Sequence, residues 1–171
     1  MRERLAAVWR HAPWLFTAAC VSVSAVLLAY AVSGTPLIAV VHGWSMSPGR
    51  LQGDVCACAP GWDDGDVAIV RDPTRDRVLV KRVVAIGPCD VSWTSDGHIL
   101  INGQAIDEPY ASYGTGVEPG GCHVASGQVF VAGDNRGASM DSRSFGPVSE
   151  NMVRGRVLVC LWHIDMGGDG S

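Results

Sequence analysis

Lysine is all but missing from this chain. Of its 13 basic residues 12 are arginine, and Lys81 is the one lysine. Charge of either sign is scarce: 18% of the residues are charged, below the roughly 25% of an ordinary soluble domain. The net charge is −4 and no basic cluster exists. Nucleic-acid binding is thereby excluded, because phosphate neutralisation needs clustered Lys and Arg. Helical periodicity of useful length is absent beyond residue 33, which excludes an α-rich body for the chain. Long apolar runs are also absent, with one exception.

That exception is Trp14 to Val32, "WLFTAACVSVSAVLLAYAV", 19 residues without a charge. At 1.5 Å per residue it can just cross a hydrocarbon core of about 30 Å. Arg2, Arg4 and Arg10 precede it, and no charge follows until Arg50. The positive-inside rule then places the N-terminus in the cytoplasm and the remainder on the outer face of the membrane. A cleavable secretory signal ending near Ala29-Tyr30-Ala31 is the rival reading. The run is long for that role, so a retained single-pass anchor is expected over residues 1–33, with an extracytoplasmic domain over 34–171. Membrane lipid is accordingly an expected partner.

Six cysteines agree with export, since disulfides persist outside the cytoplasm. Cys20 falls in the span and is expected to be a free, buried thiol. Cys56, Cys58, Cys89, Cys122 and Cys160 are odd in number, so at least one stays unpaired within the chain. Spacing does not decide which. Cys56-Ala57-Cys58 lacks the two-to-four-residue spacer of a zinc site and has no second close pair. Neither a metal nor a cofactor is expected.

Beyond Ser33-Gly34-Thr35-Pro36, which breaks the helix, short apolar runs alternate with turn residues. They are Leu37 to Val41, Val55 to Ala59, Val67 to Val70, Val78 to Ile86, Val129 to Ala132 and Val157 to Trp162. Ser95-Asp96-Gly97 and Asn102-Gly103 mark two tight turns, and Asn-Gly favours a type I′ hairpin. The expectation is an all-β domain of antiparallel sheets, about 135 residues long, behind one transmembrane helix. The Gly-rich segment 111–128 reads as a long surface loop.

Lys81 lies within "VLVKRVVAI". With a strand period of two it faces the same way as Leu79, Val83 and Ala85. Burial on that apolar face disfavours the ammonium, and a lysine, unlike an arginine, can respond by losing its proton. A neutral amine is a base, and a base needs a partner. Two turn segments supply serines: Gly43-Trp44-Ser45-Met46-Ser47-Pro48, and 133–143, "GDNRGASMDSR".

These residues, in this order, resemble bacterial type I signal peptidases, membrane serine proteases with a Ser–Lys dyad. "SMSP" is similar to the family's nucleophile box and "GDVAIV" at 65–70 to its Gly-Asp strand. "VKRVVAI" is similar to the box carrying the general base, and "INGQAIDEPY" at 101–110 to an Asn-Gly hairpin with a Glu-Pro-Tyr segment. "GDNRGASMDSRSFGPV" at 133–148 is similar to the last box. The resemblance implies Ser45 as nucleophile and Lys81 as general base. It further implies Ser139 orienting the amine, an Asp141–Arg143 ion pair, and Arg82 paired with Asp134. The Ser45 N–H would form part of an oxyanion hole. The substrate would be the signal peptide of an exported preprotein, bound as an added strand with small side chains at the first and third positions before the cut. Thirteen residues separate Val32 from Ser45, a reach of at most about 43–47 Å, so Ser45 is expected near the outer membrane surface. Trp44 and Trp162 suit that interface.

Two features depart from the family pattern. Many members carry a Ser or Thr two residues before the nucleophile, completing the oxyanion hole; here it is Gly43. The turn after the lysine box reads Gly87-Pro88-Cys89-Asp90, and its cysteine opens a pairing of Cys89 with Cys122. Two other readings stand beside signal-peptide removal. One is a specialised relative maturing conjugative pilin subunits; the other is a catalytically silent membrane-anchored β module that binds exported chains. His42 lies close to Ser45 in sequence but has no motif-placed aspartate; His11, His98, His123 and His163 read as surface or hairpin residues.

Overall fold

The computed structural model describes residues 2–75 and 77–165, with residues 2–13, 15 and 16 as backbone alone. The side chains of Arg2, Arg4, Arg10 and His11 lie outside the described set. The chain separates into two compact units, residues 1–34 and 35–171.

The first unit is one helix, α1, Arg2–Ser33. Ala and Leu favour it, and Gly34 ends it, donating its N–H to the Tyr30 carbonyl at 3.0 Å. Thr17 and Ser22 turn their hydroxyls back onto the carbonyls of Trp14 and Ala18, each at 2.9 Å. Among the described residues no helix is long and apolar enough to cross a membrane. Cys20 is a free thiol but an exposed one, not buried within protein.

The second unit is all-β, and every strand pair in it is antiparallel. Its strands are β1 (Ile38–Val40), β2 (Asp54–Ala59), β3 (Val67–Arg71), β4 (Val78–Ile86), β5 (Cys89–Trp93), β6 (Ile99–Ile101), β7 (Gln104–Ala105), β8 (Gly120–Val124), β9 (Gln128–Ala132), β10 (Val148–Ser149) and β11 (Val153–His163). Seven form one sheet in the order β1-β2-β11-β3-β4-β9-β10; four form another, β7-β6-β5-β8. The last strand thus returns to the middle, between β2 and β3. Five of the six apolar runs read from the sequence lie wholly in strands and Leu37 to Val41 contains β1, while the Asn-Gly hairpin joins β6 to β7 with positive φ at both turn residues.

Three clusters fill the interior. Cys89, Val91, Ile99, Val124 and Phe130 pack the smaller sheet onto β4 and β9. Val41, Met46, Cys56, Cys58, Val67 and Ile69 pack one face of the larger sheet; Ala68, Val70, Val83, Val129 and Val131 pack the other. Cys56 and Cys160 stand opposite each other on β2 and β11 and form a disulfide 104 residues apart in sequence. By the chain-entropy estimate such a loop is worth about 4–5 kcal/mol.

Three further expectations need correction. Segment 111–128 is not a continuous loop, because it contains β8, which completes the smaller sheet beside β5. A backbone ladder asks little of side chains, so "GGCHV" can pair where its composition suggests a loop. Cys89 and Cys122 are not bonded. Cys89 faces Val124 and Cys122 faces Val91, which leaves the cysteines diagonal. Diagonal Cα atoms lie about 7–8 Å apart, beyond ordinary disulfide reach. Burial pushes both thiols, and that of Cys58, up from their ordinary range. Finally, Ala85 does not share the face of Lys81. The pairing of β4 with β9 slips between Val83 and Ala85, and Ala85 packs with Phe130 in a different cluster from Val83.

Candidate active site

Lys81 is central in the larger sheet, on β4 between β3 and β9. It stands opposite Ala68 and, by strand alternation, on the face of Val83. Only 3% of it is exposed. Burial pushes its pKa from 10.5 down to about 8; Asp141 and Asp134 oppose the shift and Arg143 and Arg77 reinforce it. Neither carboxylate is spare. Asp141 takes Arg143 Nε at 2.9 Å and Nη2 at 2.8 Å. Asp134 takes Arg82 Nε at 2.8 Å and Nη2 at 2.7 Å. Burial pulls the Asp141 carboxyl upward, but the Arg143 bonds and the Gly133 N–H outweigh it and hold the group below the usual carboxylate range.

Ser45 lies in the loop 42–53 between β1 and β2. Fully buried Met46 roots this loop in the cluster of Val41, Val67 and Ile69. The Ser45 carbonyl accepts the Asn135 N–H at 3.0 Å, which ties the loop to the chain leaving β9. The loop also contains a cis Ser47–Pro48 bond. Gly43, two residues before Ser45, has φ +83°, and its N–H donates to Gln52 Oε1 at 3.3 Å. Open space lies where a side chain at 43 would project, but that backbone conformation disfavours any L residue.

Gly133 is the meeting point. A Cβ there would overlap both the Ser139 hydroxyl and the Ser45 carbonyl. Its N–H donates to Asp141 Oδ2 at 2.8 Å. Ser139 Oγ is buried beside the Asp141 carboxylate without a fully formed hydrogen bond to any described residue. A buried hydroxyl in that state is poised to bond a nearby amine. Ser45, Ser139 and Asp141 are therefore gathered around one glycine at the end of β9, and the Asp141 carboxylate acts on the charge of Lys81.

The histidines are elsewhere or otherwise engaged. His42 is exposed, and no carboxylate pairs with it among the described residues. His123 bonds Asp90 at 2.8 Å, His163 bonds Asp54 at 2.9 Å, and His98 stacks on Tyr113 with centroids 3.7 Å apart. Cys56 is spent in its disulfide and so unavailable to a Cys-Ala-Cys metal pair. No cluster suited to a metal occurs among the described residues.

Sequence reasoning missed the pair beneath the site. Arg136 and Glu108, both buried, form an ion pair. Arg136 also donates to the carbonyls of Gly133 at 3.1 Å and Gly97 at 2.9 Å, and its own carbonyl accepts Arg143 Nη1 at 2.8 Å. Tyr110 bonds Glu108 at 3.1 Å and lies under the Arg82 guanidinium, 3.8 Å from its ring centroid. Both residues of the pair fall inside segments already singled out, "IDEPY" and "GDNRG". Their 28-residue separation hides the pairing.

Several known proteins resemble the chain. It is 30% identical over 99 residues to signal peptidase I of Leptolyngbya laminosa, covering 58% of this chain and 48% of that one. It is 34% identical over 90 residues to probable signal peptidase I-2 of Synechocystis, covering 53% and 41%. The chain thus spans about half or less of the length of those two relatives. Signal peptidase IB of Staphylococcus aureus is 29% identical over 146 residues, covering 71% of this chain and 75% of that one. A crystal structure of signal peptidase I from Enterococcus faecalis aligns with 26% identity and a TM-score of 0.49, covering 58% of this chain and 97% of that one. The sequence model of the family "Signal peptidase, peptidase S26" matches residues 10–162. With most of its length matched, including every segment gathered around Gly133, the chain belongs to the signal peptidase S26 family.

Proposed function

We propose that the protein is a membrane-anchored serine endopeptidase that removes signal peptides from exported preproteins. The observation that carries this is Lys81: a buried amine brought down to about pKa 8 beside two carboxylates already committed to arginines. An amine so placed is largely neutral a little above pH 8 and can act as a base.

In the proposed reaction, neutral Lys81 Nζ takes the proton of Ser45 Oγ as that oxygen attacks the scissile carbonyl carbon. The carbonyl oxygen becomes an oxyanion. The Ser45 N–H has no backbone acceptor among the described residues, which supports it as the donor that meets the oxyanion. The Lys81 ammonium then gives its proton to the leaving nitrogen and the C–N bond breaks, leaving an acyl-Ser45 ester. Water, deprotonated by Lys81, attacks the ester and restores both groups. Ser139 orients the amine, and the Asp141–Arg143 and Arg82–Asp134 pairs keep their carboxylates from holding its proton.

β1 is an edge of the larger sheet and ends five residues before Ser45. A free edge suits a substrate added as a strand. The membrane anchor is residues 14–32 of α1. Val21, Val23, Leu27, Leu28 and Val32 are exposed on it, and the Thr17 and Ser22 hydroxyls are back-bonded, which suits a lipid environment. Leu37, Ile38, Trp44, Leu158, Leu161 and Trp162 are exposed apolar residues of the β unit, suited to a headgroup boundary. The reading places the N-terminus in the cytoplasm and the β unit on the outer face.

The test is cleavage of a precursor bearing a small-x-small site by the full chain in detergent, with Ser45→Ala as control. A wild type that binds precursors but never cuts them would favour the silent module instead.

A further inference from the structure

We infer that Gln52 is a positioning residue for the nucleophile loop, an inference that rests on the peptidase reading. The loop 42–53 is closed at its neck by backbone bonds: Gly53 N–H to the Val41 carbonyl and Val41 N–H to the Asp54 carbonyl, each at 2.9 Å. One step inside that neck, the ladder is continued by a side chain. Gln52 Oε1 accepts the Gly43 N–H at 3.3 Å. Ser45 is then held from two sides, by this clamp two residues upstream and by the Asn135 N–H on its own carbonyl.

The clamp matters because of Gly43. A glycine at φ +83° with open space around it has no side chain to fix its orientation. Rotation there would swing the following peptides and with them the Ser45 N–H, the proposed oxyanion donor. An acceptor on the Gly43 N–H fixes the peptide from which that rotation starts, and with the Ser47 N–H bonded to the Trp44 carbonyl at 3.1 Å on the far side it limits the swing. Gln52 itself is half-buried, which limits competition from water for the bond. The chain thus replaces a missing hydroxyl at 43 not with a second donor but with an anchor for the one donor that remains.

The experiment uses full-length protein in detergent and compares Gln52→Ala, Gln52→Leu and Gln52→Glu with wild type. Two readouts are taken: precursor cleavage, resolved into kcat and KM, and hydrogen exchange at the Gly43 amide. Ala and Leu remove the acceptor. Each should lower kcat on the order of tenfold with KM within about twofold, since small misplacements of reacting groups act on the chemical step, and each should speed Gly43 exchange. Glu keeps an acceptor oxygen and is ionised above pH 7, so it should recover most of kcat and restore slow exchange. Faster exchange with unchanged kcat overturns the positioning role. So does a Glu variant as impaired as Ala, which would mean that the amide NH2 acts on the substrate directly. Exchange unaltered in Ala shows there is no clamp. An inert wild type overturns the peptidase reading and the catalytic role of Gln52 with it, while the exchange data still report whether the clamp exists.

Discussion

Asp141 accepts Arg143 Nε and Nη2 on its two carboxylate oxygens, at 2.9 and 2.8 Å, and the guanidinium so held offsets the pull of Asp141 on the Lys81 ammonium. A free carboxylate at that place would hold the amine protonated. Arg143→Gln should therefore raise the Lys81 pKa, by on the order of 1–3 units. The acid limb of kcat/KM would move to higher pH by the same amount. A pH profile of the variant checks this, and an unmoved limb would mean that Asp141 does not govern the base.

In the wild type, the acid limb of kcat/KM should fall near pH 8, because that profile reports the free enzyme. About a tenth of the molecules then carry a neutral base at pH 7, and activity should climb roughly tenfold per pH unit below the limb. The kcat limb should lie lower, since a bound substrate excludes water and desolvates the amine further.

Stability carries the same signature with a definite sign. The folded pKa of Lys81 is lowered relative to the unfolded chain, so between about pH 8 and 10.5 the unfolded state binds more protons and stability rises with pH. Below pH 8 the burial cost is fully present, about 3 kcal/mol from the size of the shift. Lys81→Met should be inactive yet melt at a higher temperature than wild type at pH 7, with the difference shrinking toward pH 10. Lys81→Arg should be inactive and less stable, because a guanidinium cannot shed its proton. Melting curves at several pH values, paired with the cleavage assay, decide.

Breaking the Arg136–Glu108 pair should cost about 3–5 kcal/mol, the usual penalty for stranding one buried charge. Glu108→Ala should lower the melting temperature by that measure. It should also depress kcat, because Arg136 holds the Gly133 carbonyl at 3.1 Å and Gly133 touches both serines. Denaturant melts and kinetics on one preparation separate the two effects.

Thiol counting tests the cysteine assignment. Denatured, unreduced protein should show four reactive thiols, Cys20, Cys58, Cys89 and Cys122, and the Cys56–Cys160 peptide pair should appear on unreduced digestion. Two reactive thiols would mean a second bridge.

Strands were legible in the sequence wherever alternation or β-branched residues marked them, as in "VLVKRVVAI", and the Asn102-Gly103 turn was legible from its backbone preference alone. β8 was not, because "GGCHV" carries no pattern and is a strand only by virtue of β5 beside it. The slip near Val84 was equally hidden, since a bulge is a property of two strands and not of one.

From the sequence alone came the charge-free run, the scarcity of lysine and the ordered boxes around Ser45, Lys81 and Ser139. These are local signals, written in residue type and spacing. Tertiary structure decided which charges neutralise each other, which cysteines face one another, and that Gly133 is where the serines meet. Those are distances between segments far apart along the chain, and a burial cost such as that on Lys81 exists only once the strands on either side have closed around it.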